Sequence, residues 1–155
     1  MYSGLTIHLL TLERINMSFD LGKNNLSAAA EAGYEFELIY PATEEKTGAF
    51  ITVRGEASKT VKAFGRKKYA EGEAKRIQDA RKGKDTSVVD LEELEDLAIE
   101  SAIVRIIDWR GISDGGENVP FTAEVARKIL KEHDWIRKQV LEESSQILNF
   151  RPKLD

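Results

Sequence analysis

The chain has 155 residues, with 23 Lys and Arg against 27 Asp and Glu and a formal net charge of −4. Hydrophobic residues at 41% and charged residues at 32% describe a folding chain of one-domain size, not a disordered one. It has no cysteine, which excludes a disulfide framework, a thiolate zinc site and a cysteine nucleophile, and fits a reducing compartment.

Residues 1–16 contain a short apolar run, Leu5 to Leu12, with no basic residue ahead of it and no small-residue cleavage site. They read as a flexible arm, or as an extension upstream of a true start at Met17, and not as a secretory signal. Residues 17–150 are expected to form a single α+β domain, mainly α, and residues 151–155 a flexible tail beyond the last helix. No apolar run approaches the roughly 18–20 residues needed to span a bilayer, so no membrane partner is expected.

Tyr34-Glu-Phe-Glu-Leu-Ile-Tyr40 alternates and predicts a strand with Tyr34, Phe36 and Leu38 on one face. Pro41 to Gly48 reads as a polar loop, and Phe50-Ile-Thr-Val-Arg54 as a second, β-branched strand. The two predict an antiparallel hairpin over 34–54. A lone hairpin is marginal in water, so it must pack on helices, pair with another strand or join a neighbour's sheet.

Four helices are expected to follow. The first, over 59–84, is basic: Lys59, Lys62, Arg66, Lys67, Lys68, Lys75, Arg76, Arg81, Lys82 and Lys84 face only Glu71, Glu73 and Asp79. Its apolar residues Val61, Phe64, Tyr69 and Ile77 make no continuous stripe, and Gly65 and Gly72 weaken it. The next segment inverts the sign, with Asp85, Asp90, Glu92, Glu93, Glu95, Asp96 and Glu100 and no base among them. An antiparallel pair of complementary charge is the expectation. A basic helix is what a nucleic-acid binder needs, yet the net negative charge and the acidic neighbour argue against direct nucleic-acid binding.

Leu91, Leu94, Ala98 and Ala102 share a face, and Ile103, Val104, Ile106 and Ile107 then widen it. This predicts a core helix that continues to Ile107 and delivers Trp109 to a turn. From Asp108 to Leu130 the chain places a large aromatic, a Gly-Gly reversal, a Pro-Phe pair and a helix start within about twenty residues. We expect a hairpin-like elbow in which Gly115 and Gly116 take positive φ. Pro120 stiffens its exit and Thr122 caps the next helix. Trp109 and Phe121 are expected to close it as an aromatic clasp, although a binding role for Trp109 stands beside the core reading. Val125, Ala126, Ile129 and Leu130 then mark one helix. Asp134 is expected to cap the last, which carries Trp135, Ile136, Val140, Leu141, Ile147 and Leu148. Leu141, Ile147, Leu148 and Phe150 offer more apolar surface than two short helices hide, so they are the candidate partner-binding residues, for self-association or another protein. Phe150 either closes the core or docks a partner.

Chemistry-bearing patterns are weak. His8 and His133 stand far apart, outside any metal-ligand spacing. Ser144-Ser145 has no nucleophile elbow, and Gly115-Gly116 lacks the Lys-Ser/Thr of a phosphate loop. Asp114, Glu117 and Asn118 lack the twelve-residue calcium pattern. The carboxylates of Asp90–Asp96 suit a solvated helix face better than acid–base work. No catalytic residue, cofactor or metal is therefore expected, and the chain reads as no enzyme.

The order Trp109, Gly111, Asp114, Gly115, Val119, Pro120, Phe121, Thr122 and Trp135 resembles the C-terminal half of the tail assembly chaperones of long-tailed bacteriophages. That pattern is Trp-x-Gly, an Asp/Gly turn, Val-Pro-Phe-Thr, a short helix and a second Trp. The resemblance extends upstream through Phe50–Gly55 and Ala57-Ser58-Lys59 and downstream to Phe150, roughly residues 17–150; order and spacing carry it, since each piece alone is common. It implies a protein of the host cytoplasm that coats the tape-measure protein, keeps it soluble, recruits tail-tube subunits and is absent from the mature virion. Many such phages also make a longer, frameshifted form. A minor structural virion protein of the tail or head–tail joint, and a generic helical interaction protein, are the competing readings.

Overall fold

The computed structural model describes residues 18–152. The expected N-terminal arm and the Met17 start lie outside the described residues, as does most of the expected tail. The Asn25 side chain accepts a hydrogen bond from the Ala28 N–H (3.0 Å) and opens α1, Leu26–Ala32. Gly33, at φ 93°, ends this helix and turns the chain into β1, Tyr34–Ile39. The sequence reading had not identified α1.

The hairpin forms where the alternation predicted it. β2, Lys46–Val53, runs antiparallel to β1 with Phe36 opposite Ile51. It starts four residues earlier than expected, because the polar end of the hairpin also pairs: Ile39 lies opposite Lys46, and the Thr47 hydroxyl donates to the Leu38 carbonyl at 2.7 Å.

A larger departure concerns β3, Ile106–Arg110, which lies along the other side of β2 with Ile51 opposite Trp109. The sheet order is β1-β2-β3, antiparallel throughout. The core helix was expected to continue to Ile107 but stops at Arg105. There Arg54 captures its last carbonyls: the Arg54 N–H donates to Arg105 O at 2.6 Å and the guanidinium to Val104 O at 2.9 Å. The β-branched Ile106-Ile107 pair then suits the sheet that β2 offers. Alternation places Phe36, Leu38, Ala49, Ile51, Val53 and Trp109 on the buried face. Glu35, Glu37, Phe50, Thr52 and Arg110 take the opposite face, where Arg110 stacks over the Phe50 ring and pairs with Glu35 at 2.8 Å.

Three helices close the buried face. α2 (Lys59–Arg81) starts at Ser58, whose hydroxyl accepts from Val61 N–H (3.0 Å), and α3 (Leu91–Arg105) starts at Asp90. α4 (Ala123–Glu132) and α5 (Asp134–Ser145) follow the elbow. Of these, α3, α4 and α5 bring Ile99, Ala102, Ala126, Leu130, Ile136 and Val140 onto the sheet in one core. The fold is α+β and mainly α, with five α-helices and small antiparallel sheets among the described residues.

Three local expectations are corrected. His133, not Asp134, occupies the position before α5 and makes no side-chain cap; Asp134 is the first helical residue, where a carboxylate suits the helix dipole. Ile147 and Leu148 lie beyond α5 in a 3-10 turn, Ile147–Phe150. Leu91 and Leu94 stay exposed, so the core part of α3 begins near Ala98.

Candidate protein interface

The elbow is built by contacts that use up its own functional groups. Gly111 (φ 77°) ends β3 against the hairpin, where a side chain would collide with the Gly48 carbonyl oxygen. β4 (Ser113–Asp114) and β5 (Glu117–Asn118) then pair, Asp114 opposite Glu117, around Gly115 (φ 58°) and Gly116 (φ 86°). Left-handed geometry at both central residues matches the twist of a two-residue hairpin loop. The Trp109 indole N–H donates to the Val119 carbonyl at 2.8 Å, and its ring meets Phe121 edge-on at 5.0 Å. Pro120 joins these two anchors, and the Thr122 hydroxyl accepts from Val125 N–H at 3.1 Å. Trp109 is thus a core residue, Phe121 is half-buried beside it, and the whole 113–118 tip faces solvent. Trp135 lies elsewhere, edge-on to Tyr40 at 5.8 Å.

The four candidate docking residues separate. Leu141 packs half-buried against the core. Ile147 is 72% and Leu148 68% exposed, whereas Phe150 is only 5% exposed. The Phe150 ring seats over Gly55 and edge-on to Tyr34 at 6.2 Å, so the structure assigns it to the core and its docking reading is given up. Its aromatic bulk is what α1 and the 3-10 turn need to close their end of the core. Beside it, Leu26, Ala30, Ala57 and Ile147 line an apolar cleft of about 90 Å³.

A polar junction that sequence reasoning missed holds this end together. The Glu31 carboxylate accepts from the Thr60 hydroxyl (2.5 Å), the Thr60 N–H (3.2 Å) and the Arg54 guanidinium (3.3 Å). The Thr60 hydroxyl is the main cause that lowers the Glu31 pKa below its ordinary value; burial opposes it, and Arg54 assists. The buried Ser144 hydroxyl of α5 donates to the Arg54 carbonyl at 2.7 Å. Four elements meet at Arg54, which no local periodicity could signal. All these groups are satisfied by one another, so the junction is structural.

The antiparallel α2–α3 pair has a different character. Lys68 binds Glu100 at 2.7 Å, and Lys75 binds Glu93. The hydrogen bond that Lys68 donates to Glu100 is the main reason the Lys68 pKa is raised, and the same contact lowers that of Glu100. Around this ionic seam Tyr69, Val88, Val89, Leu91, Leu94 and Leu97 remain exposed. Among the described residues no group of three His, Asp or Glu side chains is placed to hold a metal ion, and no helix is long and apolar enough to cross a membrane.

The model of the YdaY prophage protein family matches residues 56–154, nearly two thirds of the chain, so the chain belongs to that family and is phage-derived. The match covers α2 through the 3-10 turn, and hence the elbow, the ionic helix pair and the C-terminal apolar residues, but not α1 or the β1–β2 hairpin. Comparisons with curated proteins and with solved structures return no match.

Proposed function

We propose that this prophage-family chain is a non-enzymatic tail assembly chaperone, which holds the tape-measure protein soluble in the host cytoplasm and brings tail-tube subunits to it. The observation that carries the reading is the pair Ile147 and Leu148, held out to solvent beside an apolar cleft at the end of the core. Two large aliphatic side chains on a 3-10 turn, next to a concave apolar surface, suit the apolar stripe of an amphipathic helix. A long tape-measure chain presents many such stripes. Phage origin and the order of elbow residues from Trp109 to Trp135 support the same reading. In it the chain uses no cofactor and leaves before the particle is complete.

Co-expression with the tape-measure protein of the same prophage tests it. The tape-measure protein should stay soluble and co-purify with the parent chain, and should be lost with the Ile147→Asp/Leu148→Asp variant at unchanged melting temperature. An insoluble tape-measure protein in the presence of the parent chain would sink the proposal. Recovery of the chain from purified particles would favour a minor virion protein instead.

A further inference from the structure

A helix of 23 residues is about 35 Å long, and α2 buries only Val61 along that length. Its seam with α3 is not apolar. Gly72, Lys68 and Lys75 face Glu93, Asp96 and Glu100 across a groove of about 470 Å³, whose apolar floor is Val88, Val89, Leu94 and Leu97. Isolated polar helices are marginal in water, and most helical stability comes from a buried apolar face. The arm made by α2 and the first half of α3 therefore lacks a cover for its aliphatic residues.

The charges indicate what the cover is. Lys62, Arg66, Lys67, Arg81 and Lys82 on or just past α2 form no ion pair among the described residues, and neither do Glu92 and Asp96 on α3. One helix offers unpaired bases and its neighbour unpaired acids, on the same arm. A two-fold axis brings the same patch of each copy against the other, so residue i meets j and j meets i. Such an arrangement sets each basic α2 against the acidic α3 of the other copy, and closes both grooves around their aliphatic floors as a four-helix bundle.

We propose that this arm pairs with the same arm of a second copy of this chain. The interface is distinct from the Ile147/Leu148 end and rests on no part of the tail-assembly reading.

Sedimentation of the full-length chain, with two charge reversals, tests the pairing. The parent chain should sediment at twice its 17.4 kDa mass. Arg66→Glu/Lys67→Glu sets two new acids of α2 against the acidic α3 of the other copy, and Glu92→Lys/Asp96→Lys sets two new bases of α3 against its basic α2. Each variant alone should be monomeric, and an equal mixture should recover the dimer. All four positions are exposed and outside the intramolecular ion pairs, so helical circular dichroism should persist. Recovery in the mixture also requires that both variants are folded. A Leu91→Ser/Leu94→Ser chain should be monomeric too. A parent chain that stays monomeric at tenth-millimolar concentration overturns the proposal, as does a reversal that dimerises like the parent or a mixture that remains monomeric.

Discussion

The aromatic clasp makes a quantitative claim: Trp109 and Phe121 stabilise the fold jointly. The rings meet edge-on, with centroids 5.0 Å apart and planes at 75°, the arrangement that the ring quadrupoles favour. Truncating a fully buried Phe to Ala costs about 3–5 kcal/mol. Phe121 is half-buried, so Phe121→Ala should cost roughly half as much, about 2 kcal/mol. Trp109→Leu keeps an apolar side chain in the core but removes both the ring and the indole N–H that serves Val119 O at 2.8 Å, at a cost approaching that of a full aromatic truncation, about 3–5 kcal/mol. The double variant should cost about 0.5–1.5 kcal/mol less than the sum, because the ring–ring contact can be lost only once. Urea melts of the four proteins, followed by tryptophan fluorescence at Trp135 and by far-UV circular dichroism, measure the cycle. Additivity within about 0.3 kcal/mol would refute the clasp, since that is the behaviour of independent sites.

The glycines of the elbow should differ from one another in melts. Gly111→Ala meets both a left-handed backbone and the Gly48 carbonyl and should cost more than about 2 kcal/mol, whereas Gly115→Ala or Gly116→Ala meets only the backbone term of about 1–2 kcal/mol. Phe150→Ala should destabilise by about 3–5 kcal/mol as a core truncation; a small loss in thermal melts, with tape-measure binding impaired, would restore its docking role. Glu31 has a folded pKa below its unfolded one, so its contribution is present above the unfolded carboxylate value of about 4.3 and is lost as pH falls through the folded value. The stability difference between the parent and Glu31→Gln should therefore shrink in acid, and a difference that stays constant from neutral pH down to pH near 3 would contradict the assignment.

What the sequence made legible was whatever a local pattern encodes. Tyr34 to Leu38 alternates, and the strand is there; Asp114-Gly-Gly-Glu117 has the chemistry of a tight reversal, and both glycines take positive φ. Thr122 stands one residue before its helix and caps it. The failures share a physical cause, which is that a distant partner decided the outcome. Ile106 and Ile107 continue the apolar face of α3 by periodicity, yet β2 supplies a neighbouring strand and Arg54 takes the helix's last carbonyls, so the residues extend instead. Phe150 could not be assigned because its burial depends on Gly55 and Tyr34, about a hundred residues away in sequence. In α1 the signal was present and overlooked: Asn25 before an alanine-rich run is a start signal followed by strong helix formers.

The exposed aliphatic residues fall on two separate surfaces that the sequence left merged. Apolar surplus in the C-terminal helices was expected to serve self-association or another partner, but Leu141 is half-buried and Phe150 fully engaged, leaving Ile147 and Leu148 as a small, isolated pair. Such a pair suits transient capture of a client side chain and is too small for a stable dimer, whose partners each bury about 800 Å². The larger surplus lies on the arm, on exposed helices flanked by separated charges of both signs. Symmetric pairing needs that combination, because one copy must carry both halves of the match. The two proposed functions on two surfaces give a decisive contrast: charge reversal on α2 should change the oligomeric mass of the chain without affecting co-purification of the tape-measure protein, and Ile147→Asp/Leu148→Asp should do the opposite. If one set of substitutions abolished both, the surfaces would be a single site, and client binding would require the dimer.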